Sequence, residues 1–370
     1  MSFLSQGSDW DFELLARYDE AIADIAHNTY GLDTYPNQIE VISSEQMMDA
    51  YSSVGMPVGY NHWSFGKQFV EVEGRYRRGQ MGLAYEIVIN SDPCIAYLME
   101  ENSIAMQALV IAHASYGHNS FFKNNYLFKT WTDASSIIDY LVFARNYIAE
   151  CEMRHGVTAV EETLDSCHAL MNYGVDREED GTFPAEPQEN LLYFIEKNAP
   201  LLKPWQREII RIVRKMAQYF YPQRQTKVMN EGWACLWHYT LLNDLYDKGL
   251  VTDGFMLEFL QNHSQVIYQP PFTAPFYSGM NPYALGFNMF QDIRRICENP
   301  DDEDREWFPE IAGSNWVETV KFAMESFKDE SFIQQFLSPK LIRYFKFFQI
   351  DDDDHNDYVE VAAIHNEQGY

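Results

Sequence analysis

The chain is short of positive charge: 27 Lys and Arg stand against 55 Asp and Glu, a net charge of −28. A phosphate backbone would be repelled by such a surface, which argues against nucleic-acid binding. An anionic membrane surface is disfavoured for the same reason. The acidity reads as a solvated surface, with cation binding by the acidic runs as its other use. Long apolar runs are also missing. No stretch reaches about 18 residues, so no transmembrane helix and no membrane insertion are expected. Met1 to Gln6 shows no basic region followed by an apolar run, so no secretory signal is visible. Cysteine is sparse: Cys94, Cys151, Cys167, Cys235 and Cys297 are dispersed, with no CxxC pair. That pattern points to buried, reduced thiols and a cytoplasmic protein. Phosphate loops of the GxxxxGK[ST] and GxGxxG types and the GxSxG nucleophile elbow are absent.

What is present is a large apolar and aromatic complement. Hydrophobic residues make up 46% of 370, with 24 Tyr and 25 Phe, enough for a large core in one domain or two. The expected fold is mainly α, a large multi-helix bundle-like domain with a few short strands near the N-terminal third and a C-terminal β-hairpin. An N-terminal α+β segment is expected over 1–95, a helical core over 96–338 and C-terminal strands over 339–370. The spacing predicts a first helix over 9–29 with Asp9 as its cap. Tyr35 to Gln38 reads as a turn, Ser43 to Gln46 as a helix start, 54–62 as loop and 63–79 as helix. Tyr85 to Asn90 is the best strand of the N-terminal half. Further helices are expected near 96–115, 133–154, 158–172, 189–197, 204–219, 225–247, 252–266, 281–297 and 314–327. The linker is 176–187, and Tyr344–Ile350 with Tyr358–Ile364 form the hairpin strands. The chain stops at Tyr370 shortly after a strand, an odd place for a domain to end.

The most informative stretch is Met229 to His238, MNEGWACLWH. It places Glu231 and His238 seven residues apart, close to two helical turns, on one stripe of an apolar segment. A buried Glu needs a cation, a metal or a proton it keeps. The two Cα atoms would lie about 10 Å apart along a helix. Glu231 therefore suits an ion, with His238 one layer away as an orienting or substrate-facing group. The structural alternative pairs Glu231 with Arg211, Arg214 or Arg224. The Asn-Glu-Gly-Trp-Ala run is similar to the segment supplying the glutamate ligand in some zinc peptidase families.

The second stretch is Ala112 to Asn125, AHASYGHNSFFKNN. His113 and His118 lie five apart, about 140° on a regular helix, and converge only if the helix breaks or bulges. Gly117 is placed to allow that. The alternative is a helix end with two histidines satisfied by core hydrogen bonds. Glu101 caps the same helix or points inward.

A third cluster is Glu152-x-x-His155 followed by Asp165-x-x-His168, a spacing used in di-iron bundles. His155-Gly156 also reads as an ordinary helix C-terminus. His168 sits among apolar residues as a metal ligand or a hydrogen-bonded core group. His62 is a candidate pocket residue. His263 reads as a cap-type residue at a helix end. Asp351 to Asp354 forms a solvated turn or a calcium site without EF-hand spacing.

Taken together, Tyr35–Ile42, Ser44–Gly66, Tyr85–Glu101, Ile111–Asn125, Leu164–Gly174, Val228–Tyr239 and Asn281–Glu298 give the chain its resemblance to the SpoVR family, named for stage V sporulation protein R. The match is to its proteobacterial branch. Members usually carry a longer charged insertion where this chain has Asp176 to Glu186, and they continue beyond position 370. The resemblance implies a link to spore cortex formation, or to stress and stationary-phase physiology in non-spore-formers. It also implies a serine protein kinase and a von Willebrand-type protein as partners. It names no reaction.

The residues favour a metal-dependent enzyme with a helical cavity. The expected ligands to a divalent metal, zinc first and iron second, are His113, His118, Glu152, His168 and Glu231. Glu231 and His238 are the expected catalytic groups. An amide or peptide bond in cell-wall metabolism is the substrate class that the family association suggests. The alternatives are a non-catalytic regulatory or scaffold protein serving the kinase system, and a di-iron oxidoreductase built on Glu152/His155 and Asp165/His168.

Overall fold

A computed structural model describes residues 3–52, 59–60, 62–63, 86–174, 190–271, 274–347, 349–351 and 360–362. Helix α1, Phe12–Asp24, buries Leu15, Tyr18 and Ile22, the three- and four-residue spacing of one helical face. Its cap is Asp11 rather than Asp9: the Asp11 carboxylate accepts the Leu14 N–H at 2.7 Å. The chain then widens into a π-turn over Ile25–Thr29.

Strand β1, Asn37–Ile42, begins inside the segment expected to be a turn. Helix α2 follows at Ser44–Ser52, and strands β2, Glu86–Ile89, and β3, Cys94–Met99, complete a sheet of order β1-β3-β2. β1 runs parallel to β3 and β2 antiparallel, with Glu86 opposite Leu98. The helix expected from residue 96 is therefore a strand at its start. Cys94, Ala96 and Leu98 are buried in alternation, the period of a strand, and two neighbours satisfy the backbone. One sheet face holds Ile87 against Met47, Met48, Ala50 and Met99. The other turns Ile39, Val41 and Val88 toward the main helical core. Glu86 shares the Val88 face, because side chains two apart in a strand point the same way.

Helix α3, Ile104–Ile111, starts late because Ser103, not Glu101, caps it. Every residue of α3 is buried. Glu101 is exposed and accepts the Ser44 N–H at 3.4 Å. A π-helical segment, Ala112–His118, links α3 to α4, Asn119–Asn124, and α5, Tyr126–Trp131. Helices α6, Ile137–His155, α7, Val157–Ala169, α8, Leu191–Asn198, and α9, Pro204–Gln225, build a lateral bundle with its own core. That core includes Ile148, Val160, Leu164, Leu192, Ile209 and Val213.

The main core surrounds α10, Lys227–Asp247. Around it lie α11, Asp253–Val266, α12, Pro282–Glu298, α13, Asp302–Trp307, α14, Trp316–Ser326, α15, Asp329–Phe336, and α16, Pro339–Phe345. Two small-residue contacts set how close these helices come. A Cβ on Gly232 of α10 would stand 2.2 Å from the Gly286 carbonyl carbon of α12. One on Gly117 would stand 2.6 Å from the Ala234 Cα. Gly117 thus serves close approach between segments rather than a break.

The expected strand at Tyr344 is helix through Phe345, ended by Lys346 at φ 57°. Gln349–Asp351, β4, and Glu360–Ala362, β5, pair antiparallel. The residues between them, the expected helix over 64–79, the linker at 176–187 and most of the 54–62 loop lie outside the described residues. Among the described residues no helix is long and apolar enough to cross a membrane. All five cysteines are buried and unpaired.

Candidate metal centre

The spacing problem posed by His113 and His118 is resolved by the backbone. In a π-turn the hydrogen bond spans five residues, and here the Asn119 N–H reaches the Ala114 carbonyl. Residues five apart then fall on one face. The two imidazoles meet edge to face with centroids 4.6 Å apart. Ser120 supports the widened turn by donating to the Tyr116 and Gly117 carbonyls and accepting from Trp233 Nε1.

Three other elements bring donors to the same place. α10 contributes one stripe, Glu231, Cys235 and His238, at spacings of four and three. β2 contributes Glu86. α12 contributes Tyr283, whose ring lies near-parallel to His113 with centroids 6.4 Å apart. Among the described residues two groups have metal-ligand geometry: Glu86 with His113 and His118, and His113 with Cys235 and His238.

Distances show which atoms face each other. His113 Nε2 lies 3.2 Å from Glu86 Oε1 and 3.7 Å from Glu231 Oε2. His118 Nε2 lies 3.5 Å from Glu231 Oε2 and 3.9 Å from Glu86 Oε1. The His118 Nδ1–H donates to Asn230 Oδ1 at 2.8 Å. That bond leaves the Nε2 lone pair of a neutral His118 pointing at two carboxylates. His118 is neutral because burial, and then the charge on His113, push it down to about 4. Glu86 Oε2 and Glu231 Oε2 are buried without a hydrogen-bond partner. Lone pairs and carboxylate oxygens aimed at one point repel unless a cation, a protonated His113 or a metal ion, lies between them.

The electrostatics agree. Burial pushes Glu86 up to about 7. Burial also pushes Glu231 up, but His113 and His118 more than offset it and hold the carboxyl below its usual range. Burial pulls His113 down, and Glu86, Cys235 and Glu231 outweigh it, raising the imidazole well above its ordinary value. Behind His113, its Nδ1 lies 2.9 Å from His238 Nδ1, and His238 Nε2 lies 2.7 Å from His263 Nδ1. The Glu86 and Glu231 side chains remain 19% and 16% exposed while His238 is 0% exposed, so the carboxylate side is the open side.

The four expected residues His113, His118, Glu231 and His238 converge. Glu152 and His168 do not join them, because both sit in the lateral bundle, whose core is separate from the one around α10. Tyr60 OH is 2.6 Å from His168 Nε2, and the His62 ring lies 4.6 Å from His168. His155 is an exposed helix end stacked on Trp205, and Asp165 accepts from Trp63 Nε1. The arginine alternative for Glu231 is excluded: Arg211 and Arg214 both bind Glu196, and Arg224 binds Asn172. His263 is a buried partner of His238 and not a cap. Glu86, Cys235, Asn230 and Tyr283 were not singled out from the sequence. Only Glu86 carried a signal, a carboxylate on the core-facing side of an apolar strand.

Comparison with known proteins agrees with the resemblance. The family model described as "SpoVR like protein" matches residues 9–182 and 176–370. The chain is 63% identical over 410 residues to the Uncharacterized protein YcgB of Escherichia coli (strain K12), an alignment covering 99% of this chain and 80% of that relative. No solved structure matches. The chain belongs to the SpoVR family.

Proposed function

We propose that the protein is a metal-dependent hydrolase acting on an amide or peptide bond, with one divalent ion, zinc first and iron second, held by His113, His118 and Glu231. What carries this reading is the His118 Nε2 lone pair facing two carboxylates whose Oε2 atoms have no hydrogen-bond partner. Two imidazoles and one carboxylate are a recurrent catalytic zinc set, which leaves a position for water. An ion there would lower the pKa of bound water and polarise a carbonyl. Glu86, 3.2 Å from His113 Nε2 on the open side, is placed to take the proton from that water as general base or to serve as a fourth ligand. Asn230 orients His118. His238 is a positioning residue behind His113. The family association with spore cortex formation suggests a cell-wall amide as substrate, and the buried, reduced thiols suit the cytoplasm.

The test is metal analysis of protein purified without chelator, followed by hydrolysis assays on cell-wall peptides. Near-stoichiometric transition metal, lost in Glu231→Gln and His118→Ala variants of unchanged stability, supports the reading. Less than about 0.1 equivalent, unchanged on reconstitution, removes it.

A further inference from the structure

We infer a second, inner ion position directly behind the first, formed by His113 Nδ1, Cys235 Sγ and His238 Nδ1, so that the His113 ring bridges two ions. The bridge rests on the outer centre proposed above; the inner donor set stands independently of it.

The stripe on α10 is the first observation. Glu231, Cys235 and His238 follow one another at single-turn spacing, so one helix face carries three donors in depth order. The first donor reaches the outer group and the other two form the inner one. His113 lies between the layers. Its Nε2 faces Glu86 and Glu231, and its Nδ1 faces His238.

Local geometry is the second observation. One nitrogen each of His113 and His238 and the Cys235 Sγ lie within 4.8 Å of one another, the two Nδ1 atoms are in contact, and the residues are 3%, 0% and 0% exposed. An ion at about 2.05 Å from two nitrogens in tetrahedral geometry holds them about 3.3 Å apart. The 2.9 Å His113–His238 contact therefore needs to open by only a few tenths of an ångström. His238 also has the outer partner expected of a ligating imidazole. With its Nδ1 turned inward, its Nε2–H donates to His263 Nδ1 at 2.7 Å.

Charge decides the class of ion. A fully buried divalent cation needs two negative charges nearby. The Cys235 thiolate and a bridging His113 imidazolate supply both. Binding is an exchange without redox change: with the outer ion already standing in place of the His113 Nε2 proton, one divalent ion enters, and the Cys235 S–H proton and the proton in the His113–His238 contact leave to solvent. A thiolate with two imidazoles selects zinc, cobalt or another soft ion over magnesium, calcium or manganese.

The experiment is cobalt(II) titration of the full chain, reduced and freed of metal. Expected are about two equivalents bound and a near-ultraviolet thiolate-to-cobalt charge-transfer band. Cys235→Ser should remove that band and one equivalent. Glu231→Gln should keep the band while losing the other equivalent. One equivalent without the band in folded wild type overturns the inner site and leaves the outer centre standing. A band with one equivalent, insensitive to Glu231→Gln, upholds the inner site and defeats the outer centre. A band that survives Cys235→Ser overturns the assignment, and no bound cobalt overturns both. A folded wild type without the band overturns the inner site even where Cys235→Ser fails to fold, and Cys235→Ala then takes that variant's place with the same two outcomes.

Discussion

Gly232 and Gly286 stand in backbone contact where α10 crosses α12: a Cβ on Gly232 would meet the Gly286 carbonyl carbon at 2.2 Å, with no flexible side chain to yield. This contact sets the height of Glu231 and Cys235 relative to Tyr283. Gly232→Ala is expected to cost about 3 kcal/mol or more through forced separation of the helices. It should weaken ion binding with it. Gly254→Ala, within α11 and 3.8 Å from its nearest contact, serves as the control and should be neutral or stabilising by up to about 1 kcal/mol. Thermal unfolding of the two variants checks the contrast.

Glu196 and Glu231 should respond in opposite ways to loss of charge. The Glu196 side chain is 1% exposed and bound by Arg211 and Arg214. Glu196→Leu leaves the mostly buried Arg214 guanidinium without its carboxylate, while Arg211 keeps Glu208, and should cost about 3 kcal/mol. Glu231 faces only the imidazoles of His113 and His118, and Glu86 remains as the counter-charge of His113, so Glu231→Gln in the metal-free chain should stay within about 1 kcal/mol of wild type. The same substitution should abolish stabilisation by added zinc. Denaturant unfolding with and without zinc separates a structural carboxylate from a ligating one.

Asn230 fixes which nitrogen of His118 faces the carboxylates. Asn230→Leu should lower ion affinity about 10- to 100-fold with the fold retained, the usual cost of losing the hydrogen bond that orients a ligating imidazole. Asn230→Asp keeps an acceptor and should keep most of the affinity. Calorimetric titration of zinc into the metal-free variants measures both.

Stability should depend on pH in opposite directions with and without metal. Glu86 is raised from 4.5 to about 7, so its contribution is fully present below 4.5 and is lost as pH rises through about 7. His113 is raised above 6.5, so its contribution is present below 6.5 and is lost at higher pH. The lowered His118, His238 and His263 act the other way below about pH 6.5, so the metal-free chain should lose stability only above about pH 7, where those imidazoles are neutral folded or unfolded. An ion competes with those protons, so zinc-induced stabilisation should grow between about pH 6 and about pH 8. Melting temperatures across that range, with and without zinc, test the crossing. A zinc effect that shrinks as pH rises would count against a site built from these residues.

Helix periodicity was legible wherever an apolar stripe ran for three turns or more, as in α9, α10 and α12. Short elements were misjudged. Asn37–Ile42 and Cys94–Met99 look ambiguous alone and become strands because each supplies the other's hydrogen bonds. At the site, the segments containing His113, His118, Glu231 and His238 stood out by composition. The π-turn that brings the first two together did not, since a widened turn answers to packing against Ala234 and to the hydroxyl of Ser120. Glu152 and His168 matched a ligand spacing but fall in a separate core, because spacing along one helix says nothing of what that helix faces.

From the sequence alone came the acidity, the helical class, the family and the two segments that carry most of the donors. Those follow from local composition and period, which each residue and its near neighbours specify. Only the tertiary structure decided that Glu86 joins His113 and His118, that Cys235 and His238 lie behind them, and that no arginine among the described residues neutralises Glu231. Such facts depend on how closely helices approach at Gly117, Gly232 and Gly286, and contacts between residues more than a hundred positions apart leave no periodic trace in the chain.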